Sequence, residues 1–299
     1  MPIPAEDDSR LYLQERQPVL KEQVAENFIE RWANAEALIK QYPAGTFGIS
    51  GMRTFYEYPA GRRLIISGEQ VMDTCESPWA AKTIDNAFAS EGIRNLPREY
   101  KIKVLERGAG LNIAGSRVIQ KMVGRGSGEY HVIELNKKVA DEARRWKDNQ
   151  MEQLENWKTE QGLDLNIDIQ IHEGDSFEIT RRLVTERKKF NIIISDTFPL
   201  TPEEKGLNDI ADLETLKKGL YGGAEGVFAF FAYYPGWENG NGNMRDSEIR
   251  VEQQRLLDRH FRQVHFDSVE VKPAPGYDYL FTHGKPVRKL PVVTATYKR

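Results

Sequence analysis

Residues 104–113 read VLERGAGLNI: an apolar run ends in an acidic residue, turns through Gly108-Ala-Gly110, and opens onto helical spacing through Gln120. Further on, residues 131–134 (HVIE) close a second apolar run on Glu134. This order presents backbone amides, then a carboxylate, at the carboxyl ends of neighbouring parallel strands. It is an arrangement suited to a nucleoside.

The glycine spacing separates two kinds of nucleoside. A dinucleotide turn needs a third glycine at position 113, where the helix closes on a pyrophosphate. Here that residue is Ile113, and the next glycine is Gly115. Glu106, directly before the turn, would also repel a pyrophosphate. A sulfonium carries positive charge and no phosphate, so the turn is expected to hold S-adenosylmethionine, with Glu134 accepting from the ribose hydroxyls. A buried β-turn-α corner without a ligand stays open as the plain alternative.

From Lys101 onward strand and helix patterns alternate. Strand-like runs fall at 102–106, 130–134, 168–172, 191–195 and 227–231, with helix-like runs at 112–123, 137–161, 176–188 and 245–260. Such alternation implies a parallel sheet with helices on both faces. Two more strands, 265–271 and 292–296, are expected to close it as a hairpin. The expected fold is therefore α/β: a seven-stranded, mostly parallel Rossmann-like sheet. Ahead of it, apolar residues at Val24, Phe28, Trp32, Ala35 and Ile39 predict one or two helices over residues 11–42. A hairpin is expected from 54–58 and 64–66 around Pro59-Ala-Gly61, then a helix over 78–90. Residues 1–63 are thus read as a helical and hairpin extension, and 64–299 as the main domain. The Gly- and Asn-rich stretch 236–243 reads as a loop.

The chain has 299 residues, formal net charge −3 and 39% hydrophobic residues, in keeping with a globular protein with a sizeable core. Near-neutral charge leaves no electrostatic footprint for nucleic acid or an anionic membrane. Cys75 is the single cysteine, which excludes an internal disulfide and a multi-cysteine zinc site, and no metal is expected. Neither a secretory signal nor an apolar run of membrane-spanning length is visible, so the expected location is cytoplasmic. The sequence leaves the oligomeric state open, a homodimer included.

In open α/β sheets the chemistry lies at the carboxyl ends of the strands. The fourth run ends in residues 195–200, SDTFPL, which places Asp196 where a methyl acceptor would meet the cofactor; a cap or loop tether is the plain alternative. Residues 173–176, EGDS, end the third run, with Asp175 and Ser176 placed to contact the adenine or simply to cap a helix. Glu76 precedes Ser77-Pro78, which alone reads as a helix start.

Taken together, residues 76–79 (ESPW), 106–113 (ERGAGLNI), 133–136 (IELN) and 196–200 (DTFPL) resemble the guanidinoacetate N-methyltransferases, class I enzymes that use S-adenosylmethionine. The similarity runs from about Leu64 to the C-terminus, includes residues 275–280 (PGYDYL), and leaves the first sixty or so residues uncovered. Fungal arginine δ-N-methyltransferases are related, and residues 228–231 (FAFF) look similar to theirs. The resemblance implies that Glu76 and Asp196 grip a guanidinium, with Asp196 as base. It also implies that Met72, Glu106, Gly108, Gly110, Asn112, Ile113, Glu134 and Asp175 or Ser176 surround the cofactor, which leaves as S-adenosylhomocysteine. Two carboxylates match a guanidinium's planar fork of donors independently of any family.

The chain departs from the family after the fifth strand. There the family carries a polar Asn-Leu-Thr-Ser type segment that receives the carboxylate of guanidinoacetate, whereas residues 232–236 here read AYYPG. Phe198, Tyr233 and Tyr234 are accordingly read as lining a pocket for another small guanidino compound, arginine or an arginine-derived metabolite. Methylation of arginine within a protein, with the N-terminal segment as docking module rather than lid, is an alternative. Guanidinoacetate N-methylation proper and a non-catalytic cofactor-binding role are the others.

Overall fold

The computed structural model describes residues 24–48, 55–197, 208–222, 226–231, 244–271, 281–282, 285–286 and 289–297. The chain begins with helix α1 (Val24–Ala33), followed by strands β1 (Ala37–Tyr42), β2 (Gly45–Gly48), β3 (Phe55–Tyr58), β4 (Gly61–Ile66) and β5 (Glu69–Asp73). A 3-10 turn at Thr74–Glu76 leads into α2 (Ser77–Ala89) and the short α3 (Glu91–Arg94). The alternating part comprises β6 (Ile102–Arg107), α4 (Ile113–Val123), β7 (Ser127–Glu134), α5 (Lys137–Gln161), β8 (Asn166–Glu173), α6 (Ser176–Thr185) and β9 (Ile192–Ser195). Helix α7 (Leu213–Gly219), β10 (Val227–Phe231), α8 (Met244–His260), β11 (Phe261–Glu270), the small pair β12 (Phe281–Thr282) and β13 (Lys285–Pro286), and β14 (Lys289–Tyr297) complete it.

Seven strands form one sheet in the order β11-β14-β10-β9-β6-β7-β8. The pairs β10–β9, β9–β6, β6–β7 and β7–β8 are parallel, and β14 pairs antiparallel with both β10 and β11. This is the expected doubly covered sheet with its closing hairpin. Strict alternation along the central strands divides two cores. Ile102, Val104, Ile192, Ile194 and Val292 join α2 and α4 on one face. Leu105, Ile193, Phe228, Phe230 and Val293 join α6, α7 and α8 on the other.

The extension differs from its sequence reading. Residues 37–42, expected to continue a helix, form β1, paired antiparallel with β4 from Ala37↔Ile66 to Tyr42↔Gly61. Apolar spacing through Ile39 keeps a helical phase, but the pairing partner decides, and the helix ends at Ala33. The expected hairpin partners also separate: β3 pairs with β2, while β4 pairs with β1 and β5. Leu64 and Ile66, alternate residues of β4, enter the first core beside Trp32, so the strand crosses the expected 63/64 boundary as part of the packed body. Among the described residues no helix is long and apolar enough to cross a membrane.

Candidate active site

The turn after β6 is built on Glu134. Its Oε2 accepts from Ala109 N at 3.0 Å and Gly110 N at 3.4 Å, and its Oε1 accepts from Asn136 N at 2.9 Å. Gly108 has φ +93°, and a Cβ there would lie 2.1 Å from the carbonyl oxygen of Asp196. Only glycine combines that backbone with so close an approach. Gly110, at φ +47°, would place a Cβ 2.5 Å from the sulfur of Met72, which also lies 3.1 Å from Leu111 N. Asn112 takes left-handed φ 56° at the entry of α4 without capping it through its side chain, and Ile113 is the helix's first residue. Met72, Gly108, Gly110, Asn112, Ile113 and Glu134 therefore gather at one turn.

Strand parity places the acidic groups. Glu106 follows Val104, Glu134 follows Val132, and Asp196 follows Ile194 by two residues, so all three take the face of the first core. Asp196 N donates to Arg107 O at 2.9 Å, extending the β6–β9 ladder past the strand end. Helix α2 packs on that face, against α4, β10, β11 and β14. Its start follows Met72, beside the turn. Its far end, with Asn86 and Ala89, lines a cavity of about 580 Å³ with Val227 at the opposite edge of the sheet. Glu76, 6% exposed, heads α2 and makes no cap hydrogen bond with its side chain. Asp196 and the segment that leads into Glu76 thus both adjoin the glycine turn, through Asp196 O at Gly108 and Met72 at Gly110.

Burial dominates the electrostatics here. Asp196 is pushed up to about 7 by desolvation, then by the nearby charge of Asp209. Burial raises Glu134, with the amides of Asn136, Ala109 and Gly110 opposing. Glu106 is 2% exposed, receives a hydrogen bond from the Tyr130 hydroxyl, and is held well above the usual carboxylate range by burial, Asp196 and Glu134. The carboxyl faces Tyr130 in the core, and its burial favours the neutral form.

Asp175 caps α6, accepting from Phe177 N and Glu178 N at 2.9 Å each. The plain reading of that residue is realised in the structure. Ser176 Oγ accepts from Arg107 Nη2 at 3.5 Å. Phe198, Tyr233, Tyr234 and residues 275–280 lie outside the described residues.

Three further groups escape sequence reasoning. Asp209, 3% exposed, accepts through Oδ1 from Ser195 Oγ at 2.9 Å, Thr197 N at 3.0 Å and Thr197 Oγ1 at 2.7 Å. Arg107 is fully buried, donates to Asp212 at 2.9 Å, and lies 4.6 Å from the Phe177 ring centroid. Asn136 caps α5 through Oδ1 while its Nδ2 donates to Trp32 O at 2.9 Å and Ala35 O at 3.0 Å. The hydroxyls flanking Asp196 are the one sequence hint of an acceptor nearby.

No protein-family model and no curated protein matches the chain. Solved structures of methyltransferases do align with it. The CurJ carbon methyltransferase aligns at 14% identity and TM-score 0.41, over 74% of this chain and 54% of that one. A SAM-dependent methyltransferase from Agrobacterium tumefaciens aligns at 11% identity and TM-score 0.40, over 86% and 70%. MNMC2 from Aquifex aeolicus aligns at 15% identity and TM-score 0.41, over 98% and 83%. This chain therefore spans about half of the CurJ domain structure and most of the MNMC2 one. Likeness of this degree bears on neither cofactor nor substrate.

Proposed function

We propose that this chain is an S-adenosylmethionine-dependent N-methyltransferase acting on the guanidino group of a small molecule, arginine or an arginine-derived metabolite in preference to guanidinoacetate. The observation that supports the reading is that Asp196 and Met72, four residues before Glu76, both close on the Glu134-held glycine turn. The residues fit the cofactor chemically. Glu134 holds a carboxylate at the turn, where a ribose hydroxyl would share its oxygens with the backbone amides around it. When bound, S-adenosylmethionine supplies a methyl group on a cationic sulfur.

Glu76 and Asp196 would receive the planar guanidinium through paired N–H···O contacts. A protonated guanidinium is a poor nucleophile, and its proton is hard to remove in water. Asp196 supplies a base matched to neutral pH. It would take the proton from the guanidino nitrogen as that nitrogen accepts the methyl group, the by-product being S-adenosylhomocysteine. The carboxylates contribute by holding the nitrogen in line and excluding water. The departure from the family at residues 232–236 motivates a substrate other than guanidinoacetate.

Incubation with S-adenosylmethionine and a panel of guanidines, read by mass spectrometry, tests this. The expected result is a methyl adduct on arginine or a relative. Titration calorimetry with arginine and guanidinoacetate tests the preference; tighter binding of guanidinoacetate overturns it. Methylation of polypeptide arginine alone would move the reading to a protein substrate.

A further inference from the structure

We propose that Asp209 is the positioning residue of the site, clamping the residues on either side of Asp196 so that the Asp196 carboxyl is directed to the opposite face of the sheet. The inference rests on the methyltransferase reading only for the identity of Asp196 as base. Its geometry is independent of that reading.

Ser195 continues the parity of Ile193 and belongs to the second face, with α6, α7 and α8. Asp209 approaches from that side and collects donors from both Ser195 and Thr197 on a single carboxylate oxygen. In extended backbone, alternate residues point to opposite faces. Holding 195 and 197 on one face therefore leaves 196 on the other, where Glu106, Glu134 and the start of α2 stand. The ladder bond from Asp196 N to Arg107 O fixes the same stretch from the β6 side. Asp209 is a buried carboxylate, so without donors it would be costly to ionise. Its three hydrogen bonds and the charge of Arg107 oppose that cost.

The clamp has an electrostatic consequence. Beside burial, the charge that raises Asp196 is that of Asp209 in the 3-10 turn; Glu106 on β6 and Glu134 on β7 stand on its face, Glu76 heads α2, and Arg107 lies on the far face. Three donors and the charge of Arg107 oppose the cost of ionising the buried Asp209. Its charge then works with burial to hold Asp196 near neutrality. The same residue thus aims the base and sets its strength.

The test uses the full chain labelled with side-chain ¹³C-carboxyl aspartate. The Asp196 resonance is assigned by its loss in Asp196→Asn. Asp209→Asn keeps an oxygen acceptor for the three donors and removes the charge. The expected result is a fall of about one unit in the Asp196 midpoint. With an identified guanidine substrate, the acid limb of kcat should move down by a similar amount while cofactor Kd stays within about twofold. An unchanged Asp196 midpoint in folded Asp209→Asn overturns the proposal. If far-UV circular dichroism shows that this variant is unfolded, Thr197→Val decides. Loss of a donor makes Asp209 harder to ionise, so the Asp196 midpoint should again fall, and no movement overturns the inference. Failure to bind S-adenosylmethionine would sink the functional reading while leaving the coupling of the two aspartates measurable.

Discussion

Tyr130 donates its hydroxyl hydrogen to the buried carboxyl of Glu106 directly beneath the glycine turn. The pair stands on adjacent parallel strands, one residue before Arg107 on β6 and four before Glu134 on β7. Glu106 has its pKa raised in the fold, so the native chain retains a proton that the unfolded chain loses above about pH 4.3. Stability from this group is full below that pH and declines as pH rises toward the folded value. Glu106→Gln should therefore gain stability over the wild type at pH 8 relative to pH 5. Urea midpoints of both proteins at the two pH values check this; an identical gap at each pH refutes it.

The two turn glycines should differ in cost. Gly108→Ala meets a backbone oxygen and a left-handed φ, and neither can yield cheaply. Gly110→Ala meets the sulfur and terminal methyl of Met72, the far end of a flexible side chain. Gly108→Ala is expected to cost upwards of about 2 kcal/mol and Gly110→Ala about 1 kcal/mol. Adding Met72→Ala should recover part of the second loss and none of the first. Thermal denaturation of the four variants decides, and equal losses at the two glycines would contradict the contact geometry.

Glu134 joins backbone donors of the turn to those of the chain after β7, so its replacement acts on the turn before any ligand arrives. Glu134→Gln puts an amide group where N–H groups point, at a cost of about 1–3 kcal/mol in stability. Under the proposed function, S-adenosylmethionine affinity should fall at least about tenfold. Titration calorimetry measures it, and unaltered affinity removes Glu134 from the cofactor site.

Under the proposed function, Asp196 carries the pH dependence. A base with midpoint about 7 is protonated in acid, so methyl transfer should rise as pH climbs through 7 and then level off. Binding a guanidinium cation favours the ionised carboxylate. Uptake of substrate at pH 6.5 should then release protons, visible as a buffer-dependent heat. Asp196→Asn should abolish turnover, remove this heat, and leave cofactor affinity nearly intact. Surviving turnover would exclude Asp196 as base.

Much of the central sheet was legible because its strands are short apolar runs bounded by turn residues. The reading of 227–231 and 137–161 agrees with β10 and α5 at both ends. Residues 37–42 were not legible. Their apolar spacing keeps the phase of α1, and only the six-residue pairing with β4 makes them a strand. In the site, Gly108, Gly110 and Glu134 announce themselves through spacing. Asp209 and Arg107 do not, because an aspartate in a polar stretch and an arginine before a glycine are ordinary surface signals. Burial alone gives them meaning, and burial is a property of the assembled chain.

Asn136 makes the extension part of the fold, which changes what a truncation can reveal. Its Oδ1 caps α5 and its Nδ2 ties the carbonyls of Trp32 and Ala35 to the end of β7. Removing residues 1–42 would delete β1, expose the edge of β4, vacate the site of the buried Trp32 ring and strand a buried amide. The truncated chain should lose at least about 3 kcal/mol, and lost activity would then report unfolding rather than a missing lid. Asn136→Asp separates the two roles of the residue. The carboxylate still caps α5 but meets two carbonyl oxygens without a hydrogen to offer. It is expected to cost about 2–4 kcal/mol, more than the loss of a cap alone. Urea denaturation of Asn136→Asp beside Asn136→Ala measures the difference; an Asp variant as stable as the wild type would mean that the tether to α1 carries no weight.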